Sequence, residues 1–341
     1  MSTAAITWGN DMTDRMEHIT LDGYGEAEVM RLVSGPRPVA GPGEVLIEVA
    51  FAGVNRPDIV QRRGSYPPPP GVTEVLGLEV SGRIAAVGPD VARFHVGEEV
   101  CALVAGGGYA GYVVAPEPQV LPLPKGFDLA TAAAIPETFF TVWTNLYDSG
   151  KLAPGESVLI HAGLSGIGTT AIQLASALGA RVFTTVSADD RIAPCLELGA
   201  DIAVNYRTED YVARLTEATG GAGVDVILDM RAGEFFPKNM QLLATGGRMV
   251  HIASLAGREV TLDIGLMMRK RAVITGTTLR ARPVAEKGRI AAALEAVVWP
   301  LFEAGRIRPR VDRIYRLEDA VSAHRALESG EIVGKAVLAV R

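Results

Sequence analysis

The apolar run Val158-Leu159-Ile160-His161 leads into Gly163-Leu164-Ser165-Gly166-Ile167-Gly168, and a helical pattern follows. A strand that turns through glycines into a helix is the sequence form of a dinucleotide phosphate site. Glycine meets three needs there: a tight turn, close backbone approach to a pyrophosphate, and close packing of helix on strand. The phosphates would rest against free N–H groups at the helix N-terminus. Ser165 stands at the middle position of G-x-G-x-x-G. A tight strand–helix turn without a ligand is the alternative. The order strand, turn, helix favours the site and assigns it Gly163, Ser165, Gly166, Ile167 and Gly168.

The end of the next strand selects the cofactor. An acidic residue there would hold the ribose 2′-OH of NAD. Val186 is followed instead by Ser187, with Arg191 four positions later. A hydroxyl and a cation suit a 2′-phosphate, which makes NADPH the expected cofactor. The alternative pairs Arg191 with Asp189 and Asp190 at a helix start, and Pro194 should disturb that start.

These residues lie in a region with a clear element pattern. Strand-like runs SVLIHAG (157–163), RVFTTV (181–186), DIAVNY (201–206), VDVILDM (224–230), GRMVHIAS (247–254) and AVITGTT (272–278) alternate with helical segments. That alternation predicts a parallel sheet covered on both faces. Ahead of it, LATAAAIPETFFTVWTNLYDSG carries apolar residues at helical spacing and stops at Gly150. The chain before about residue 125 is rich in turns and short strands, including VLIEVAFAGV (45–54), EVSGRIAAVG (79–88) and GYVVAP (111–116). It reads as a mostly antiparallel β domain. A long helix over about 284–304 and a closing αβ piece over 317–340 complete the pattern. Within 341 residues this implies two domains, an α/β fold with a doubly wound Rossmann sheet plus the β domain.

Composition sets the outer limits. The chain is 48% hydrophobic and 21% charged, which excludes long disorder. A net charge of −6 argues against a general nucleic-acid binder, and no apolar run approaches membrane-helix length. The first 18 residues lack a secretory pattern and read as a loose extension. Cys101 and Cys195 give no disulfide framework, so a reducing cytoplasm is the default compartment. Arg269, Lys270 and Arg271 read as a solvated or interface edge, and His161 as a strand residue under the phosphate turn.

GVNRPDIVQRRGSYPPPPG (53–71), GLEVSG (77–82), AAAIPETFFTVW (132–143), HAGLSGIG (161–168), LGADIAVNYRTED (198–210) and GKAVL (334–338) occur in this order. Together they resemble the zinc-independent, zeta-crystallin-like quinone oxidoreductase branch of the medium-chain dehydrogenases, from about residue 19 to 341. The resemblance implies a GroES-like catalytic domain (19–136 and 283–341) around a Rossmann domain (137–282). It also implies a homodimer joined through the edge strand 272–278, and NADPH-dependent reduction of quinones. By the same resemblance Asn55 and Tyr66 lie beside nicotinamide and acceptor, Thr141 beside the nicotinamide, and Tyr206 beside NADPH. Ser254 and Thr277 complete the cofactor set. As plain sequence, Asn55 and Tyr66 would be turn and loop residues, Thr141 a helix residue, and Tyr206 a cap on the sheet.

Zinc relatives carry G-H-E-x-x-G, whereas this chain reads Gly77-Leu78-Glu79-Val80-Ser81-Gly82. Leu78 has no ligating atom, and Asn55 stands where zinc relatives have a cysteine. No zinc is expected. Glu79 and Asp58 are then expected to bond backbone groups or nearby cations such as Arg56. Reduction of activated C=C bonds, in 2-enals or enoyl thioesters, remains open beside quinone reduction. So does a crystallin-like nucleotide-binding role without physiological catalysis. The acceptor is a small molecule in either enzymatic reading, with no membrane or specific nucleic-acid partner.

Overall fold

The computed structural model describes residues 15–341. β1 (Arg15–Leu21) and β2 (Met30–Pro36) form an antiparallel ribbon running in register from Arg15↔Pro36 to Leu21↔Met30. Residues 15–18 are therefore strand, not part of a loose extension; the rest of that expectation lies outside the described residues. Ile19 fixes the ribbon on the core, buried and donating its N–H to the Tyr109 carbonyl at 2.9 Å.

A seven-stranded sheet brings both ends of the chain together. Its early strands are β3 (Glu44–Val54), β4 (Glu79–Val87), β5 (Glu99–Leu103), β6 (Tyr112–Pro116) and β7 (Val120–Pro122). Between β3 and β4 lies α1 (Arg56–Arg62), which starts directly after Asn55. After β7 come α2 (Leu129–Ala132) and α3 (Pro136–Val142). The single helix expected over 129–149 is thus interrupted. Pro136 has no N–H to donate and starts a new helix at its own position. A π-helical turn, Trp143–Ser149, then carries the chain to Gly150.

The second sheet has six parallel strands: β8 (Ser157–Ile160), β9 (Arg181–Val186), β10 (Ile202–Asn205), β11 (Val224–Asp229), β12 (Leu243–His251) and β13 (Val273–Gly276). Their spatial order is β10-β9-β8-β11-β12-β13. α4 (Gly166–Ala177), α5 (Ile192–Glu197), α6 (Tyr211–Ala218), α7 (Phe235–Leu242) and α8 (Ile264–Lys270) lie between the strands in sequence. Side chains alternate across the sheet. Val158, Ile160, Val226 and Leu228 pack with Ala171 and Ile172 of α4, while Leu159, Ile227 and Met249 pack with Tyr211, Leu215 and Met240. Both faces are dry, which explains the nearly continuous apolar strands in the sequence. α9 (Val284–Glu303) returns the chain to the first sheet. β14 (Val311–Arg316), α10 (Ala320–Ser329) and β15 (Lys335–Ala339) follow, and β15 pairs with β3 through Ala336↔Val54.

Candidate active site and dinucleotide turn

The turn after β8 is built as the glycine pattern requires. A Cβ on Gly168 would lie 2.3 Å from the Ala162 carbonyl oxygen, and one on Gly163 would lie 2.4 Å from Thr184 Oγ1. Either would force helix and strand apart. Ser165 caps α4, its Oγ accepting the Gly168 N–H at 3.0 Å. Serine at the middle position therefore gives the helix a cap while leaving the Gly166 and Ile167 N–H groups without an intrahelical acceptor. Such a turn fits a pyrophosphate. His161, beneath it, is fully buried and bonds Thr185 Oγ1 at 2.8 Å and Asn239 Oδ1 at 3.0 Å. Burial lowers its pKa, so it is a neutral core residue.

Ser187 follows β9, and the Tyr206 N–H donates to the Val186 carbonyl at 3.1 Å, which brings Tyr206 beside it. Arg191 ends a short 3-10 turn, and its Nη2 donates to the Gly330 carbonyl at 2.6 Å. Among the described residues it makes no ion pair with Asp189 or Asp190; Asp189 accepts instead from Asn205 Nδ2 at 2.7 Å. Pro194 does not disturb the start of α5. It sits in the first turn, where its missing N–H has no acceptor to lose. The segment carrying Ser254 is joined to the turn after β11, as Leu255 and Ala256 donate to the Met230 and Arg231 carbonyls at 3.1 and 2.7 Å. Ser254 itself is exposed. Thr277 Oγ1 donates to Asn145 Oδ1 at 2.7 Å, and Asn145 Nδ2 donates to the Thr141 carbonyl, also at 2.7 Å. Thr277 and Thr141 thus meet through one asparagine.

Asn55 is 7% exposed and its amide is held at both ends. Its Nδ2 donates to Glu79 Oε1 at 2.8 Å, and its Oδ1 accepts from Lys335 Nζ. Lys335 also donates to the Val54 carbonyl at 2.9 Å and pairs with Glu79 at 2.6 Å. Glu79 takes the Glu137 N–H at 2.9 Å. The cation of this cluster is therefore Lys335, not Arg56. Sequence spacing gives no hint of the pairing, because β15 meets β3 only through the sheet. Asp58 bonds backbone as expected, accepting the N–H of Asn55 at 2.8 Å and of Gly77 at 3.2 Å, and it also takes the Tyr109 hydroxyl. Burial raises its pKa to about 6. Tyr109 also bonds His324, whose pKa burial and the Arg62 charge push down to about 3.

Tyr66 is half-buried in the loop after α1. The Arg280 guanidinium lies over its ring, 5.4 Å from the centroid, and burial raises the Tyr66 pKa. Arg280 is 6% exposed; its Nε donates to the Ala105 carbonyl at 2.6 Å, and its Nη2 is buried without a partner among the described residues. It also lines a cavity of about 610 Å³ together with Thr73, Val75, Gly106 and Lys287. Glu137, one turn before Thr141 in α3, has its pKa raised to about 8, chiefly by burial and then by the Glu79 charge. Sequence reasoning missed Lys335, Arg280 and Glu137. Glu137 and Lys335 fall within AAAIPETFFTVW and GKAVL, but their types alone say nothing of a shared site.

Leu78 is buried, and among the described residues no group of three His, Cys, Asp or Glu could hold a metal. Cys101 and Cys195 are buried free thiols. Among the described residues no helix is long and apolar enough to cross a membrane.

Taken together, the two sheets and the glycine turn define a GroES-like domain joined to a Rossmann domain, the architecture of the medium-chain dehydrogenases. The alcohol dehydrogenase GroES-like domain family matches residues 41–125, and the zinc-binding dehydrogenase family matches 166–298. The chain belongs to the quinone oxidoreductase branch of the medium-chain dehydrogenase/reductase family. It is 33% identical to the quinone oxidoreductase of Sus scrofa, over 95% of this chain and 97% of that one. It is 29% identical to a segment of a phenolphthiocerol/phthiocerol polyketide synthase of Mycobacterium tuberculosis, over 94% of this chain and 15% of that protein. Among solved structures, mycobacterial Rv1454c complexed with NADPH superposes with a TM-score of 0.86 at 30% identity, covering 95% of this chain and all of that one. The JamJ enoyl reductase superposes at 0.85 with 28% identity, covering 96% and 99%.

Proposed function

We propose that this protein is a zinc-independent, NADPH-dependent reductase that transfers hydride to quinones. One observation carries the reading: the segment Gly334-Lys335 touches both halves of the site. Gly334 donates its N–H to the Leu164 carbonyl at 2.9 Å, and a Cβ on Gly166 would lie 2.8 Å from Lys335 Cδ. Lys335 in turn holds the Asn55 amide. The dinucleotide turn and the loop proposed to face the acceptor are thereby fixed to each other, as hydride transfer requires.

The chemistry supplied by a bound nicotinamide is hydride donation. Gly163, Ser165, Gly166, Ile167 and Gly168 would cradle the pyrophosphate, and Ser187, Arg191, Tyr206 and Ser254 would border the adenosine end. Thr141, Thr277 and Asn55 would border the nicotinamide. Tyr66 and Arg280 would orient the acceptor oxygen, and protons would reach the reduced acceptor from water. The buried Leu78 and the amide at Asn55 support zinc independence, since neither suits the metal. The free buried thiols fit a reducing compartment. We further propose domain limits near residues 136 and 283, and a homodimer joined through β13, which ends the sheet with Val273 exposed.

Reduction of an activated C=C bond is the second reading. The likeness to the JamJ enoyl reductase favours it, and the partnerless Nη2 of Arg280 beside a cavity of about 610 Å³ suits a thioester or enal carbonyl as well as a quinone oxygen. The test is NADPH oxidation across a panel of quinones, 2-enals and enoyl thioesters. Quinones turned over at least tenfold faster than the alkenes support the first reading, and the reverse supports the second. No turnover with any acceptor, in protein that still binds NADPH, would favour a crystallin-like binding role. In the same assay Tyr66→Phe should slow turnover by about two- to twelvefold, the effect of one neutral hydrogen bond, and Asn55→Ala by at least as much, because it also takes a partner from Glu79 and Lys335. Unchanged kcat/KM in both would remove the loop from the site.

A further inference from the structure

Arg231 follows β11 by two residues and belongs to none of the motifs that define the glycine turn or the acceptor loop. Its guanidinium carbon lies 4.6 Å from the centroid of the Phe235 ring and 5.2 Å from that of Tyr206, and those two rings meet edge to face at 5.2 Å. The backbone that delivers it is fixed from both sides. Its N–H donates to Asp229 Oδ1 at 2.6 Å, and its carbonyl accepts the Ala256 N–H at 2.7 Å. The chain then reverses through Ala232 at φ +53° and Gly233 at φ +48°. The guanidinium itself makes no hydrogen bond or ion pair with any described residue, and its Nε is buried without a partner. Neighbouring carboxylates are already engaged. Asp229 takes the N–H groups of Arg231 and Ala232 and the Asn239 amide, and Asp189 takes the Asn205 amide.

An arginine held by two aromatic rings, with five unused donors, is organised to receive an anion. Two rings within 5.2 Å of its guanidinium carbon already confine it, so less freedom is lost when a phosphate arrives. Its place identifies which anion. Tyr206 sits beside Val186, the residue before Ser187, at the strand end where the ribose of a dinucleotide lies in this fold. Arg191, the cation that sequence spacing selects there, already spends one N–H on the Gly330 carbonyl at 2.6 Å.

We infer that Arg231 is a specificity-determining residue of the adenosine pocket and receives the 2′-phosphate of NADPH together with Ser187 and Tyr206. This rests on the cofactor assignment above, not on the identity of the acceptor.

The experiment measures cofactor binding by the full-length protein without any acceptor. NADPH and NADH are titrated by fluorescence, and 2′,5′-ADP and AMP by calorimetry, into wild type, Arg231→Gln and Arg191→Gln, with the unliganded melting temperature of each recorded. Arg231→Gln should weaken NADPH and 2′,5′-ADP by about tenfold or more, the effect of losing a charged hydrogen bond, while NADH and AMP change less than threefold. It should weaken 2′,5′-ADP more than Arg191→Gln does. Equal losses for both cofactors, or none for either, would overturn the assignment. Should Arg231→Gln fail to fold, Arg231→Lys decides: it keeps the charge without the forked guanidinium, and 2′,5′-ADP weakened by twofold or more with AMP unchanged supports the role. Both ligands unchanged in Arg231→Lys would overturn it. Wild type that binds neither NADPH nor NADH would instead refute the cofactor reading itself.

Discussion

Replacing Lys335 by methionine would leave the Glu79 carboxylate buried without its cation. Both side chains are shut off from solvent and lie 2.6 Å apart. Removing one member of such a pair costs about 3–5 kcal/mol, because the remaining charge stays desolvated. Glu79 would keep two donors, Asn55 Nδ2 at 2.8 Å and the Glu137 N–H at 2.9 Å, which places the loss toward the lower end of that range. For a chain of this length that corresponds to a fall in Tm of about 4–6 °C in a cooperative transition. The double variant Lys335→Met with Glu79→Gln removes both charges and should recover more than half of the loss, since neutral groups of similar size carry no comparable desolvation penalty. Calorimetry at pH 7 on wild type, both single variants and the double variant closes the cycle. The reasoning is refuted if Lys335→Met costs less than about 1 kcal/mol, or if the two single losses simply add.

The raised pKa of Glu137, about 8, predicts a pH-dependent effect with a definite sign. Ionising it in the folded state is unfavourable, so its contribution is intact below the unfolded value near 4.5 and is lost as pH rises through about 8. Glu137→Gln should match wild type in Tm at pH 4–5 and exceed it increasingly toward pH 8; a constant difference would contradict the assignment. Purified protein should contain no stoichiometric zinc, and chelators should leave activity unchanged, whereas one zinc per chain lost together with activity would reverse this. Light scattering at micromolar concentration should give a dimer, and Ile274→Pro in β13 should shift it to monomer. A monomeric wild type would rule out the β13 junction.

Much of this fold is legible along the chain. β9 coincides with the run RVFTTV, and β10, β11 and β13 lie within one or two residues of their expected runs. A buried parallel strand writes itself as a continuous apolar stretch, and the glycine turn as a fixed local spacing. β12 begins four residues before its expected run, at Leu243, because pairing with β11 extends it through the glycines at 246 and 247. Pro136 also marks the helix interruption along the chain, but the apolar periodicity that spans it hides the break.

The candidate site divides along the same line. The phosphate turn depends on neighbours in sequence: Ser165 caps Gly168 three residues on, and Gly168 packs on Ala162. The sequence by itself determined that turn and the parallel sheet. The tertiary structure alone decided that Asn55 is held by Lys335, 280 residues away, and that Arg280 reaches Tyr66 across 214. It also decided that Arg231 lies over the rings of Tyr206 and Phe235. Backbone spacing encodes contacts within a turn or a strand, where geometry fixes who meets whom. A buried charge has no such local rule: its partner is whichever group the packed sheets bring within hydrogen-bond distance, and only closing the fold removes the water that would otherwise make the partner unnecessary.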